Sequence, residues 1–316
     1  MKDAKDLKVV YLAGLGRSGG TLLGRVLGEI PGVFYAGEVY FLWADGLLED
    51  RLCQCRQPFS KCTFWKDVLS GAFPEIDFIS LGKEMFTAQK RIVREKNFFK
   101  MLFLFLQGAL FRREAQRYYT STQTLYQHIL QTSQAGFLVD SSRHVTNLLG
   151  LSQVANMYVI HLVRDVRGVI YSYRKQKYNP ASQKYLPNLS WGRVTREWIL
   201  KNTMVETVCR FKKIPYLRIR YEKFVEDPVG TLEKIAEFLG FLGDVGVVVN
   251  GNKVVLHKSH AIGGNPDKFV QGKVALIPDI AWEKALPTYQ RILTGVLAGP
   301  WLLHYGYFKL GRKRDA

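Results

Sequence analysis

The strongest constraint in the sequence is the stretch GLGRSGGTLL, Gly14 to Leu23, read with its flanks. KVVYLAG, Lys8 to Gly14, is short, apolar and β-branched and ends on glycine, which predicts a buried strand. Thr21 to Ile30 then has helical apolar spacing and is stopped by Pro31-Gly32. Strand, glycine loop and helix in that order form an anion cradle, because loop amides and a helix N-terminus converge on one point. Three phosphate-binding patterns fit the loop. Gly14-x-Gly16-x-x-Gly19 is a dinucleotide fingerprint, with an acid, Glu38, 19 residues after Gly19. Gly14-x4-Gly19-Gly20-Thr21 is a Walker A loop with glycine in place of the lysine. In the third, Arg17 supplies the positive charge from three residues before Gly20.

The dinucleotide reading supplies no hydride-acceptor site and leaves Arg17 and the later arginines unexplained. A Walker loop without its lysine suits a nucleotide that lacks a γ-phosphate, although Thr21 keeps the metal-binding hydroxyl and Asp140 is available as a magnesium ligand. A kinase using magnesium-ATP therefore stands as the alternative.

The third pattern reaches furthest. RSGGTLL resembles the 5′-phosphosulfate loop of sulfotransferases that use 3′-phosphoadenosine 5′-phosphosulfate (PAPS) and release adenosine 3′,5′-bisphosphate. That donor carries a second phosphate on its ribose, so a second site with arginine and hydroxyl donors is required. VIHLVRDVRGVIYSY, Val159 to Tyr173, has the family's form: a strand ending in Arg164, then a helix carrying Ser172. The resemblance continues through LCQCRQPFSKCTFWKDV (Leu52 to Val68), VDSSRH (Val139 to His144), IRYEKFVEDPVGTLEKIAEFLG (Ile219 to Gly240) and HAIGGNPDKF (His260 to Phe269). It implies donor contacts from Arg17, Ser18, Gly19, Gly20, Thr21 and Leu22 at the 5′ end, and from Arg164 and Ser172 at the 3′ end. Tyr221 is implied to line the adenine pocket, and Gly264, Asn265 and Lys268 to close over the nucleotide. The sequence departs from the pattern at three of these positions. Arg143 stands where the family usually has lysine, Lys268 where it usually has arginine, and Gly20 where it usually has Thr or Ser.

The resemblance also implies the chemistry. An acceptor hydroxyl attacks in line, a base takes its proton, and cations neutralise the leaving oxygen. Glu38, 21 residues after Arg17, matches the spacing of the base glutamate in tyrosylprotein and related sulfotransferases. Arg17 and Arg143 are the candidates for leaving-group stabilisation, and no metal is required. His144 is a second-choice base. His161 alternates with Arg164 on a buried strand and reads as a satisfied core histidine. His257 and His260 fall in the closing segment.

Further apolar runs at 32–38, 136–140, 157–163 and 216–221 read as strands, and helical patterns cover 84–132, 165 onward, 191–213, 228–239 and 282–296. Residues 43–80 look loop-rich. Alternating strands and helices predict an α/β fold: a P-loop-like parallel β-sheet flanked by helices, with the 84–132 helical insertion forming an acceptor-site cap. With no repeat or linker, residues 1–316 read as a single domain.

A formal net charge of +18 points to acidic partners. No helix-turn-helix, zinc-finger or RNA-recognition signature is present, so nucleic acid is not expected. The N-terminus is too charged for a signal peptide, and MLFLFLQGALF, Met101 to Phe111, is too short to span a bilayer. A cytoplasmic protein is expected, with a peripheral membrane contact open at that basic-edged segment. Aromatic residues between 40 and 132 suit a carbohydrate, glycolipid or lipid-like hydroxyl acceptor, and the pocket for it is expected there. Of four cysteines, Cys53, Cys55 and Cys62 cluster in CQCRQPFSKC, and Cys209 lies apart. Cys-x-Cys is tighter than usual zinc-ligand spacing, so buried thiols are expected first, a disulfide second and a metal last.

Overall fold

In the computed structural model, described over residues 7–93, 98, 113–241 and 245–308, five parallel strands form the central sheet. The elements in order are β1 (Lys8–Ala13), α1 (Gly20–Leu27), β2 (Val33–Gly37), α2 (Thr63–Ala72), α3 (Phe78–Ile92), α4 (Arg113–Ser133), β3 (Phe137–Asp140), α5 (Val145–Leu151), β4 (Asn156–Val163), α6 (Val166–Arg174), β5 (Tyr178–Asn179), β6 (Lys184–Tyr185), α7 (Trp191–Lys212), β7 (Tyr216–Arg220), α8 (Tyr221–Glu226), α9 (Pro228–Leu239), β8 (Val249–Asn250), β9 (Lys253–Leu256), β10 (Gly272–Ala275), α10 (Trp282–Ala285), α11 (Thr288–Leu297) and α12 (Gly299–His304). The sheet order is β2-β3-β1-β4-β7, with β1 at the centre, as the apolar run KVVYLA requires of a strand covered on both faces.

Alternate residues of β1 feed separate cores. Val9, Tyr11 and Ala13 pack with α2 to α5, whereas Val10 and Leu12 pack with α1 and α9. Burial of Leu23, Val26 and Leu27 fastens α1 beneath the loop, each worth about 1.5–3 kcal/mol. A third cluster joins α6 and α7 to the C-terminal helices.

Two expectations need correction. Residues 43–80 contain a helix, α2, whose Trp65, Val68, Leu69 and Ala72 are buried at helical spacing. The helix expected over 282–296 is broken at Pro287, which cannot donate an amide bond and sits between α10 and α11. The described part of 84–132 covers the sheet: Tyr118, Tyr119, Leu125, Tyr126 and Ile129 of α4 join the first core. The 101–111 segment lies outside the described residues. Among those described, no helix is long and apolar enough to cross a membrane. A three-stranded antiparallel sheet, β10-β9-β8, and the small β5–β6 hairpin were not foreseen.

Candidate active site

Each strand of the sheet delivers a site residue at its carboxyl end, where open α/β sheets bind ligands. Arg17 follows β1 in the loop, Glu38 is next after β2, Arg143 lies three residues past β3, and Arg164 and Tyr221 directly follow β4 and β7. All five line one cleft of about 610 Å³. A register shift between β2 and β3 at Tyr35/Gly37 turns the chain there, a device common beside active sites.

The loop is shaped by contact as well as by sequence. Gly19 has φ 96°, and a Cβ on it would lie 2.4 Å from Tyr221 Cδ2, so only glycine lets the ring close on the loop. Gly20 meets nothing within 4 Å. Arg17 donates to the Ser172 carbonyl at 3.3 Å and faces the Tyr173 ring at 5.8 Å. Its Nη1, and the Ser18 hydroxyl, are buried without a hydrogen-bond partner. Burial lowers the Arg17 guanidinium below its ordinary pKa. Unpaired buried donors of this kind are costly unless an anionic ligand takes them.

Glu38 is 3% exposed, and its Oε1 accepts from Arg143 Nη2 at 2.5 Å. Burial alone would lower the Arg143 guanidinium, but the Glu38 carboxylate against it leaves it raised. The closing segment fixes Glu38 from behind. Its amide donates to the Ile262 carbonyl at 2.8 Å, and the Ile262 amide donates to Ala36 at 2.9 Å. Gly37, φ 83°, permits this bridge, since a Cβ there would lie 2.2 Å from the Ile262 oxygen. A Cβ on Gly264 would stand 3.6 Å from Glu38 Oε1 and 3.8 Å from Thr21 Oγ1, so the GNP turn lies beside Glu38 and the loop.

Arg164 is 6% exposed, lies 4.5 Å from the Tyr221 ring centroid, and donates to the Arg17 carbonyl at 3.2 Å. It shares the Asp279 carboxylate with Lys175, at 3.2 and 3.0 Å. Burial would raise Asp279, yet its bonds from Lys175 and Arg164 hold it below the ordinary range.

Of the residues expected from sequence, Arg17, Gly19, Gly20, Thr21, Leu22, Glu38, Arg143, Arg164, Ser172, Tyr221, Gly264 and Asn265 all line the cleft. Ser18 and Lys268 do not. Ser18 is buried behind the loop. Lys268 is 2% exposed and donates to the Leu52 carbonyl at 3.1 Å, so it anchors the closing segment from below. His144 stacks on Tyr40 at 3.8 Å, outside the cleft lining, and burial lowers its pKa well below the usual value. His161 is the satisfied core histidine expected: Nδ1 pairs with Tyr216 at 2.8 Å, Nε2 with Asn202 at 2.9 Å, and burial lowers it to about 4.

Asp140 weighs against the kinase alternative. It is 0% exposed, accepts from Tyr126 at 2.5 Å, from the Ser142 amide and hydroxyl and from the Val39 amide, and does not line the cleft. It cannot present itself to a metal in the cleft.

Sequence reasoning missed Tyr173, Lys175, Asp279 and, from the hairpin and its flanks, Lys177, Asn179, Ser182 and Lys184 to Pro187, which line the same cleft. From the region expected to form the acceptor pocket, Phe41, Asp45 and Arg51 contribute, and no described residue of 84–132 does.

A sequence model of the sulfotransferase family matches residues 10–242. The chain belongs to the sulfotransferase family. Its general reaction is therefore sulfuryl transfer, and the protein is a transferase. The sulfotransferase domain from the curacin biosynthetic pathway shares the fold, with TM-score 0.54 at 16% identity over 97% of this chain and 100% of that one. Mouse sulfotransferase SULT7A1 complexed with PAP aligns with TM-score 0.45 at 15% identity, over 96% of this chain and 90% of that one. No curated protein matches the chain. In this sulfotransferase the matched span holds Arg17, Glu38, Arg143, Arg164 and Tyr221, while the closing segment lies beyond it.

Proposed function

We propose that the protein moves the sulfuryl group of PAPS to a hydroxyl acceptor, with Glu38 as general base. The observation that carries this is the convergence of Arg17, Glu38, Arg143, Arg164 and Tyr221 in one cleft, with Arg17 Nη1 and Ser18 Oγ buried and unpartnered. PAPS supplies the sulfuryl group and a phosphate leaving group when bound; the protein supplies positions and charge.

The amides from Ser18 to Leu22, with Arg17 and Thr21, hold the 5′-phosphate at the start of α1. Arg164 and Ser172 hold the 3′-phosphate, which distinguishes this donor from ATP, and Tyr221 lines the adenine side. Gly264 and Asn265 close over the top. Glu38 takes the acceptor proton: Arg143 fixes Oε1, and Oε2 accepts no hydrogen bond among the described residues. Arg17 and Arg143 stabilise charge on the leaving oxygen. No step calls on a metal. The acceptor we favour is a carbohydrate, glycolipid or lipid-like hydroxyl. Phe41 and Tyr185 offer apolar faces, and Lys177 and Lys184 offer donors beside them.

Calorimetry tests the donor. Adenosine 3′,5′-bisphosphate without metal is expected to bind wild type and to bind Arg164→Ala about 10- to 100-fold more weakly, the worth of a charged hydrogen bond. Preference for magnesium-ATP, indifferent to Arg164, would sink the reading. With a panel of hydroxyl acceptors, Glu38→Gln should lower transfer by about 10²–10⁴-fold while keeping bisphosphate binding.

A further inference from the structure

The cysteine cluster expected from sequence to be buried thiols has a fourth member. His260, from the closing segment, reaches Cys62 from 198 residues away. The ligand atoms Sγ of Cys53, Cys55 and Cys62 and Nδ1 of His260 all lie within 4.8 Å of one another. Cys62 Sγ is 3.7 Å from both Cys53 Sγ and Cys55 Sγ, and 3.2 Å from His260 Nδ1, while Cys53 Sγ is 4.0 Å from that nitrogen.

The geometry points to a structural zinc site formed by Cys53, Cys55, Cys62 and His260. A tetrahedron with zinc–sulfur bonds of about 2.3 Å has sulfur–sulfur edges of about 3.8 Å. The observed 3.7 Å edges fit this and are far from the roughly 2.05 Å of a disulfide. All four cysteines are free thiols. Three sulfurs and one imidazole complete the set, so no position stays open for a substrate, as structural sites require.

The surroundings fit the same assignment. Cys53 is tied in place by its own amide, which donates to the Gln57 carbonyl at 2.9 Å, and Cys62 by its amide, which donates to the Phe59 carbonyl at 3.2 Å. Trp65 Nε1 donates to the His260 carbonyl at 2.7 Å, and Phe64 stacks on the imidazole at 4.9 Å, so the histidine is held on both sides. Three thiolates around a dication leave one net negative charge. The buried Lys268 ammonium, bonded to the Leu52 carbonyl next to Cys53, offsets it. The Gln54 amide also donates to the Ala261 carbonyl at 3.1 Å. The metal would thus pin residues 260–262 to the 53–65 segment, and Ile262 in turn carries the Glu38 amide. Cys-x-Cys spacing hid this site because its fourth ligand comes from the far end of the fold.

The test is metal analysis of the full-length protein, purified reduced and without chelator from zinc-supplied cells. About one zinc per chain is expected, and replacement by cobalt should give thiolate charge-transfer absorption. His260→Ala and Cys55→Ser, checked for folding by circular dichroism, should each weaken zinc at least tenfold against a competing chelator, on the order of what second-shell changes alone cost. Cys209→Ser, with its thiol outside the cluster, should keep full zinc. Folded wild type that holds almost no zinc and shows no cobalt–thiolate absorption would overturn the assignment. So would a Cys55–Cys62 or Cys53–Cys62 disulfide in an unreduced peptide map of metal-free protein, or unchanged zinc affinity in His260→Ala. The wild-type measurements stand even if a variant fails to fold.

Discussion

Two arginines of the cleft sit on left-handed backbone, Arg17 at φ 71° and Arg143 at φ 63°. For a residue with a Cβ this costs about 1–2 kcal/mol, so the fold holds these side chains where chain preference alone would not. Arg17 adds a buried Nη1 with no partner. Arg17→Gly removes both costs, offset by the loss of its bond to the Ser172 carbonyl. We expect the variant to be as stable as wild type or about 1 kcal/mol more so, while adenosine 3′,5′-bisphosphate binds at least tenfold more weakly. Thermal denaturation and calorimetry on the same preparation read both quantities. A clear fall in stability would mean that Arg17 is a packing residue rather than a ligand-facing one.

At the scale of elements, β3 is pinned to α4 by Asp140, which gathers donors from Tyr126, Ser142 and Val39. Burial raises its carboxyl to about 6, against 3.8 for the ordinary group. The folded state therefore favours the protonated form. The stability it contributes is full below 3.8 and is lost as pH rises through about 6. Asp140→Asn lacks this titration, so its stability relative to wild type should improve by about 1 kcal/mol between about pH 5 and about pH 7.5. Urea denaturation at the two pH values measures the difference, and a pH-independent difference would refute the account. β1, β3 and β4 were legible because each carries a short apolar run that packs on both faces, and Gly14 to Leu23 announced the loop. The β5–β6 hairpin was not, since YN and KY carry no apolar period. Nor was the Glu38–Arg143 pair, whose members are 105 residues apart and meet only once β2 and β3 align. Sequence motifs thus picked out residues that line one cleft but not Lys268's inward turn, which depends on where Leu52 passes.

At the scale of the whole molecule, the +18 charge and the cationic cleft make a field that reaches beyond contact. Capture of adenosine 3′,5′-bisphosphate, an anion, should be steered by it. Raising ionic strength from about 0.01 M to about 0.15 M shortens the screening length from about 30 Å to about 8 Å, and the association rate should fall roughly tenfold. Stopped-flow mixing reads this; a flat salt response would deny steering. The five strand ends that carry Arg17, Glu38, Arg143, Arg164 and Tyr221 share one hydrogen-bonded register, so none of them moves without its neighbours. Among the described residues the hairpin pairs with no strand of that sheet; its strands pair through Tyr178–Tyr185 and Asn179–Lys184, and Lys177 reaches Asp267 at 2.8 Å. A change in the hairpin's length or side chains therefore leaves the strand register as it stands, so the two walls of the cleft answer separately to what each must hold.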